Sequence, residues 1–171
     1  DFGISVQDGL VTERDRAQRE AAKAAKVSEA LTGLLIGADP IANRATPDGL
    51  TARGLLDASA ARVEKELADL PDAQAEIFTV IGRMYRRLGM YDRAQELLER
   101  ALVSGRAAFG SEHPSVAQTL NDLGGLAAEK GDYQAAAASL ESALNVRRAL
   151  YGQQDTAVAD TLAELGRIYQ D

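Results

Sequence analysis

Ile81-Gly82-Arg83-Met84-Tyr85-Arg86-Arg87-Leu88-Gly89-Met90-Tyr91-Asp92-Arg93-Ala94 is echoed 42 residues later by Leu123-Gly124-Gly125-Leu126-Ala127-Ala128-Glu129-Lys130-Gly131-Asp132-Tyr133-Gln134-Ala135-Ala136. At that spacing Gly82, Gly124 and Gly166 fall in register, as do Ala101 with Ala143, Leu102 with Leu144 and Gly110 with Gly152. A fixed period of this length marks stacked supersecondary units, none of which buries its apolar face alone. Stacks of this kind present a long surface, which points to binding rather than catalysis.

Working outward, helical spacing of apolar residues predicts helices at about 72–88, 92–108, 114–130, 133–150 and 156–170. Gly89, Gly110, Gly131 and Gly152 separate them, where a helix end favours a residue that accepts positive φ. The expected fold is therefore all-α, built of consecutive antiparallel helix hairpins. Upstream, Leu55, Leu56, Ala60, Val63 and Leu67 continue the helical spacing until Leu70-Pro71-Asp72, where Pro suits a first helical turn. Asp39, Pro40, Asn43 and Pro47 make a loop. Before it, residues 12–35 read as one long helix opened by a box-like Thr12-Glu13-Arg14-Asp15. Its first half, Arg14 to Lys26, is charged and Ala-rich and is expected to be solvated, while Val27, Leu31, Leu34 and Leu35 can dock on a neighbour. The organisation expected is an N-terminal helical segment at 1–36, a loop at 37–50 and an array at 51–171. Within the array, a degenerate helix at 51–70 precedes repeats at 74–110 and 113–152 and a partial repeat at 155–171.

Composition narrows the function classes. The chain of 171 residues is 46% apolar and 26% charged, ordinary for a globular protein. Aromatic residues are 5% and Trp is absent, so packing rests on small and medium side chains suited to close helices. A net charge of −7 opposes general phosphate binding, so no nucleic acid partner is expected. The lack of Cys excludes disulfides, thiolate metal sites and cysteine nucleophiles without choosing a compartment. No apolar run is long enough to span a bilayer, so no direct membrane contact is expected from this segment. The start at Asp1 is read as that of a processed product or an excised piece.

The two echoing phrases resemble tetratricopeptide repeats. That family places a large apolar residue, an apolar residue followed by Gly, and an aromatic on its first helix, then Ala, a large apolar residue and Ala on its second. Phe78, Ile81, Gly82, Tyr85, Ala94, Leu98 and Ala101 fill these places in one unit. Leu120, Leu123, Gly124, Ala136, Leu140 and Ala143 fill them in the next, with Ala127 in the aromatic position. Leu162, Leu165, Gly166 and Tyr169 begin a third. The resemblance implies a right-handed α-solenoid in which small residues let helices approach closely. The 42-residue period exceeds the usual length of about 34 by roughly two helical turns. With Phe109-Gly110-Ser111-Glu112-His113-Pro114 it is similar to the kinesin light chain type. The stretch Thr51 to Ala75 resembles the region preceding such repeats in certain bacterial serine/threonine kinases. That implies a regulatory or sensor arm of a kinase, on either side of a membrane that anchors the parent protein.

The same resemblance puts the ligand in a groove lined by first helices. Carried over by repeat position, its polar residues are Glu76, Thr79, Arg83, Arg86 and Arg87, then Gln118, Asn121, Asp122 and Glu129, then Asp160, Glu164 and Arg167. Asn121 stands out because an Asn amide can bond both the donor and the acceptor of an extended peptide. Arg83, Arg86 and Arg87, at helical spacing, can converge on a carboxylate, the alternative being a solvated face with local ion pairs. Residues 71–110 hold six Arg and five acids, whereas residues 111–171 hold nine acids and four bases. A partner segment with an acidic and a basic end suits that polarity.

No catalytic group, metal site or cofactor is expected. His113 is the lone His and, next to Pro114, reads as a cap or loop residue. Tyr85, Tyr91, Tyr133 and Tyr169 read as core or interhelix residues. Asp1-Phe2-Gly3 matches the magnesium-binding triplet of kinases, yet none of the other kinase motifs accompanies it. The expectation is a non-catalytic module that binds a protein or peptide. The competing expectation is a self-association module forming a homo-oligomer, because Leu165 and Ile168 would lie exposed on a third unit without a second helix.

Overall fold

The computed structural model describes residues 52–170 and, before them, the exposed helical positions Glu13, Arg14, Gln18, Glu20, Ala21, Ala24, Ala25 and Ser28. The rest of the expected N-terminal helix, the 37–50 loop and Asp1-Phe2-Gly3 lie outside the described residues. The chain divides into two units, Asp1–Leu67 and Ala68–Asp171.

In the first unit, α1 (Ala52–Glu66) buries Leu56, Ala60 and Val63 at helical spacing, with Leu67 just beyond. Arg62 and Glu66 pair along its exposed side at 3.2 Å.

The second unit consists of α2 (Pro71–Arg87), α3 (Tyr91–Phe109), α4 (Pro114–Glu129), α5 (Tyr133–Tyr151) and α6 (Thr156–Ile168). Each helix packs on the next, and α2 also touches α4. This is the all-α solenoid of antiparallel hairpins that the period predicts, with helix bounds within two residues of those expected.

Local chemistry sets where each helix starts and stops. Pro71 and Pro114 occupy first turns, where a missing N–H costs nothing. His113 caps α4 by accepting from the Ser115 N–H at 3.2 Å, and its ring stacks on Phe109. Asp132 and Asp155 cap α5 and α6 in the same way. At the end of α2 the Met90 N–H bonds the Tyr85 carbonyl and the Gly89 N–H bonds that of Arg86. The end of α4 repeats this pair with Asp132 to Ala127 and Gly131 to Ala128. Such paired bonds need positive φ at the Gly, which is 71° at Gly89 and 78° at Gly131. The sharper breaks at Gly110 and Gly152 combine φ 81° with ψ of 174° and 177°, a region open essentially to Gly alone.

Small residues set the spacing within hairpins. A Cβ on Gly82 would sit 2.9 Å from Leu98 Cγ, and one on Gly124 only 2.6 Å from Leu140 Cγ. Leu98 and Leu140 therefore fill the space that the glycines leave, over α2 and α4 respectively. Val116, Leu120, Ala143 and Val146 pack within the α4–α5 hairpin and against Leu102 of α3, and Leu140, Leu144, Val158 and Leu165 form the last core cluster, between α5 and α6, with Ala137 and Ile168.

Several expectations about burial need correction. Leu165 is buried and Ile168 half-buried, because both face α5; Leu162 and Tyr169 are the exposed apolar residues of α6. Tyr133 is exposed as well, so only Tyr85 is a true core tyrosine, with Tyr91 half-buried.

Candidate groove on the first helices

The first helices α2, α4 and α6 carry the polar residues assigned to the groove. Their side chains meet across repeats rather than standing apart. Arg83 donates through Nε to Asp122 Oδ2 at 2.7 Å, with Nη2 at 2.6 Å from the same oxygen. Arg86 Nη2 donates to Glu129 Oε1 at 2.7 Å. The hydroxyls of Thr79 and Thr119 lie 3.4 Å apart. On the α4–α6 side, Asn121 Nδ2 donates to Glu164 Oε2 at 2.9 Å.

Arg147 of α5 completes this network from behind. Its Nη1 donates to Thr161 Oγ1 at 2.6 Å, the Ala157 carbonyl at 3.1 Å and Asn121 Oδ1 at 3.2 Å, while Nη2 donates to Gln118 Oε1 at 3.1 Å. Gln118 Nε2 in turn reaches Asp122 Oδ1 at 3.4 Å. Arg147 is 9% exposed, and all its acceptors are neutral. One repeat earlier the equivalent position is Gly105, packed between Ala75 and Val116. A guanidinium thus replaces a bare backbone contact and ties α5 to both α4 and α6.

The electrostatics follow from these contacts. Hydrogen bonding to Arg86 holds the Glu129 carboxyl below its ordinary range, and the same bond raises Arg86 against the opposing effect of its burial. Arg86 lies flat over Gly125, where a Cβ would come within 3.0 Å of Nη2. Above that glycine opens a cleft of about 410 Å³. Gly125, Ala128, Leu140 and Ile168 supply its apolar lining, and Arg86, Glu129, Tyr133, Glu164 and Arg167 its polar lining. Apolar walls with a few charged groups of both signs suit a side chain flanked by peptide backbone.

Of the sequence-assigned residues, Arg86, Glu129, Glu164 and Arg167 come together around the cleft. Thr79, Arg83, Gln118, Asn121 and Asp122 belong to the inter-repeat network beside it. Glu76, Arg87 and Asp160 stand exposed. Asn121 has both ends of its amide engaged, by Glu164 and Arg147. Arg83, Arg86 and Arg87 do not converge on one point: two of them reach separate carboxylates of α4. Sequence reading missed Arg147, Leu140 and Tyr133. The available signal for Arg147 was the replacement of Gly105 by a cation one period on, at a position otherwise occupied by core residues.

Residues 73–149 match the family described as tetratricopeptide repeat. No curated protein matches the chain. Among solved structures, the crystal structure of BtubC (BKLC) from P. vanneervenii is similar, with a TM-score of 0.58 at 21% identity. The likeness covers 86% of this chain and 65% of that one, so the chain spans less than two thirds of its neighbour's length. At that identity the likeness is one of fold.

Proposed function

We propose that this chain, with its tetratricopeptide match over residues 73–149, is a non-catalytic module that holds an extended segment of a partner protein along α2, α4 and α6. Tetratricopeptide repeats are in general protein-interaction modules, and the observation that carries the reading here is the cleft over Gly125. It supplies an apolar lining for one anchoring side chain, with Arg86, Glu129, Glu164 and Arg167 positioned for the flanking backbone and charges. The cross-repeat pairs hold these groups in place before binding, which limits the entropy lost when a partner docks.

Selection of peptides displayed on phage against the chain tests this. Selected peptides are expected to lose about tenfold or more in affinity when Ala128→Trp fills the cleft, and less when Arg86→Ala removes one charged wall. Equal binding to the Ala128→Trp chain, with helicity unchanged by circular dichroism, overturns the cleft as the site.

A finer reading makes the array one of kinesin light chain type and the regulatory arm of a bacterial serine/threonine kinase. It is supported by the 42-residue period and by the stretch from Thr51 to Ala75. Sequencing the gene upstream of the Asp1 codon tests it: a kinase domain followed by a membrane span is the expected neighbour, and any other neighbour removes the kinase assignment.

A further inference from the structure

Position for position, α6 repeats the first helices before it, yet its outer face differs in burial. Phe78, Gly82 and Tyr85 on α2 are buried, as are Leu120 and Gly124 on α4, with a second helix packed on each face. Their equivalents on α6 are open. Leu162 is 43% and Tyr169 68% exposed, and a Cβ on Gly166 would meet nothing within 4 Å. Ala159 and Ala163 are exposed on the same side.

Helical spacing sorts this face into three strips. Ala159, Ala163 and Gly166 form a central line of small residues. Leu162 and Tyr169 lie along one edge, and the exposed Asp160 and Arg167 along the other. We propose that the occupant of this face is a second copy of the chain, with two α6 helices packed antiparallel about a twofold axis.

The charges and shapes select that arrangement. In an antiparallel twofold pair each edge meets the same edge of the partner with its ends exchanged. Asp160 then faces the partner's Arg167, and the pairing occurs twice. On the other edge Leu162 meets the partner's Tyr169, also twice, while the small residues Ala159, Ala163 and Gly166 let the two backbones approach along the centre. An apolar edge meets an apolar edge, and an acid meets a base. A parallel pair sets the charged edge against the apolar one and loses both matches. A single helix that complements itself in one direction only is what a closed, isologous contact requires. Arg167 also lines the cleft, but the other contacts lie on the outer face of α6, and the reciprocal charge swap below separates this inference from the groove reading.

Sedimentation equilibrium of the whole chain over a wide concentration range tests it. The expected behaviour is a monomer–dimer equilibrium, with Leu162→Glu raising the dissociation constant by at least about tenfold. Asp160→Lys and Arg167→Glu each weaken the dimer several-fold, and the two together restore it. Restoration distinguishes this contact from loss of fold or loss of groove charge, neither of which a reciprocal swap repairs. Leu162 and Asp160 are exposed, so the variants are expected to fold, as circular dichroism at high dilution would verify. A monomer at all concentrations overturns the proposal. So does open-ended growth beyond a dimer, which indicates head-to-tail contact, and so does a double swap that fails to restore what the single changes weaken.

Discussion

The glycine that recurs on the first helices as Gly82, Gly124 and Gly166 shows how one residue type takes its meaning from its neighbour. Gly124→Ala drives a Cβ to 2.6 Å from Leu140 Cγ and 3.2 Å from the Ala136 carbonyl, so it is expected to cost about 1–3 kcal/mol. Gly166→Ala meets nothing and adds helix propensity, so the monomer is expected to gain up to about 1 kcal/mol. Urea melts of both variants at high dilution check the opposite signs. Arg147 is the second residue with consequences beyond its own helix. Arg147→Ala is expected to cost about 2 kcal/mol by leaving Gln118, Asn121 and Thr161 short of a donor. Arg147→Lys should recover only part of this, because a point ammonium cannot reproduce the planar fork that reaches α4 and α6 together. The same urea melts measure both.

Between elements, the Arg86–Glu129 pair that joins α2 to α4 makes their packing sensitive to pH. Arg86 holds Glu129 below its ordinary range in the folded state. The stabilisation is therefore present above the ordinary carboxylate range and is lost as pH falls through the lowered value of Glu129. The side chains are 28% and 41% exposed, so the effect is expected at about 0.5 kcal/mol or less. Thermal melts of the parent and Glu129→Gln chains should differ at neutral pH and converge in acid; a gap that persists in acid removes the ion pair as its cause. At the helix ends, the glycines at Gly110 and Gly152 hold φ 81° with extended ψ. Gly110→Ala is expected to cost about 1–3 kcal/mol through backbone strain alone, since no atom lies within 4 Å of its Cβ position, and a calorimetric melt checks it.

At the scale of the whole molecule, α6 is packed on α5 while its outer face stays open, so amide exchange is expected to be faster in α6 than in α4. Hydrogen exchange read by mass spectrometry measures this, and dimer formation should slow α6 selectively. The period was enough to give the hairpins, their bounds and the close approach at Gly82 and Gly124, because each depends on residues at fixed spacing along one helix or one loop. Burial on α6 was misjudged at Leu165 and Ile168, since the helical stripe alone does not say which arc faces α5. The groove was legible as a set of positions but not as a network. Arg83 with Asp122, Arg86 with Glu129 and Asn121 with Glu164 lie 39, 43 and 43 residues apart, beyond any spacing that one helix imposes. By itself the sequence determined that the chain stacks helix hairpins and which small residues admit the neighbouring helix, because local periodicity and steric size are written in order along the chain. Only the tertiary structure decided that the polar residues bind one another across repeats, that Arg147 reaches them from α5 and that a cleft opens over Gly125. Those outcomes depend on the rotation and offset between successive helices, which no short stretch of sequence encodes.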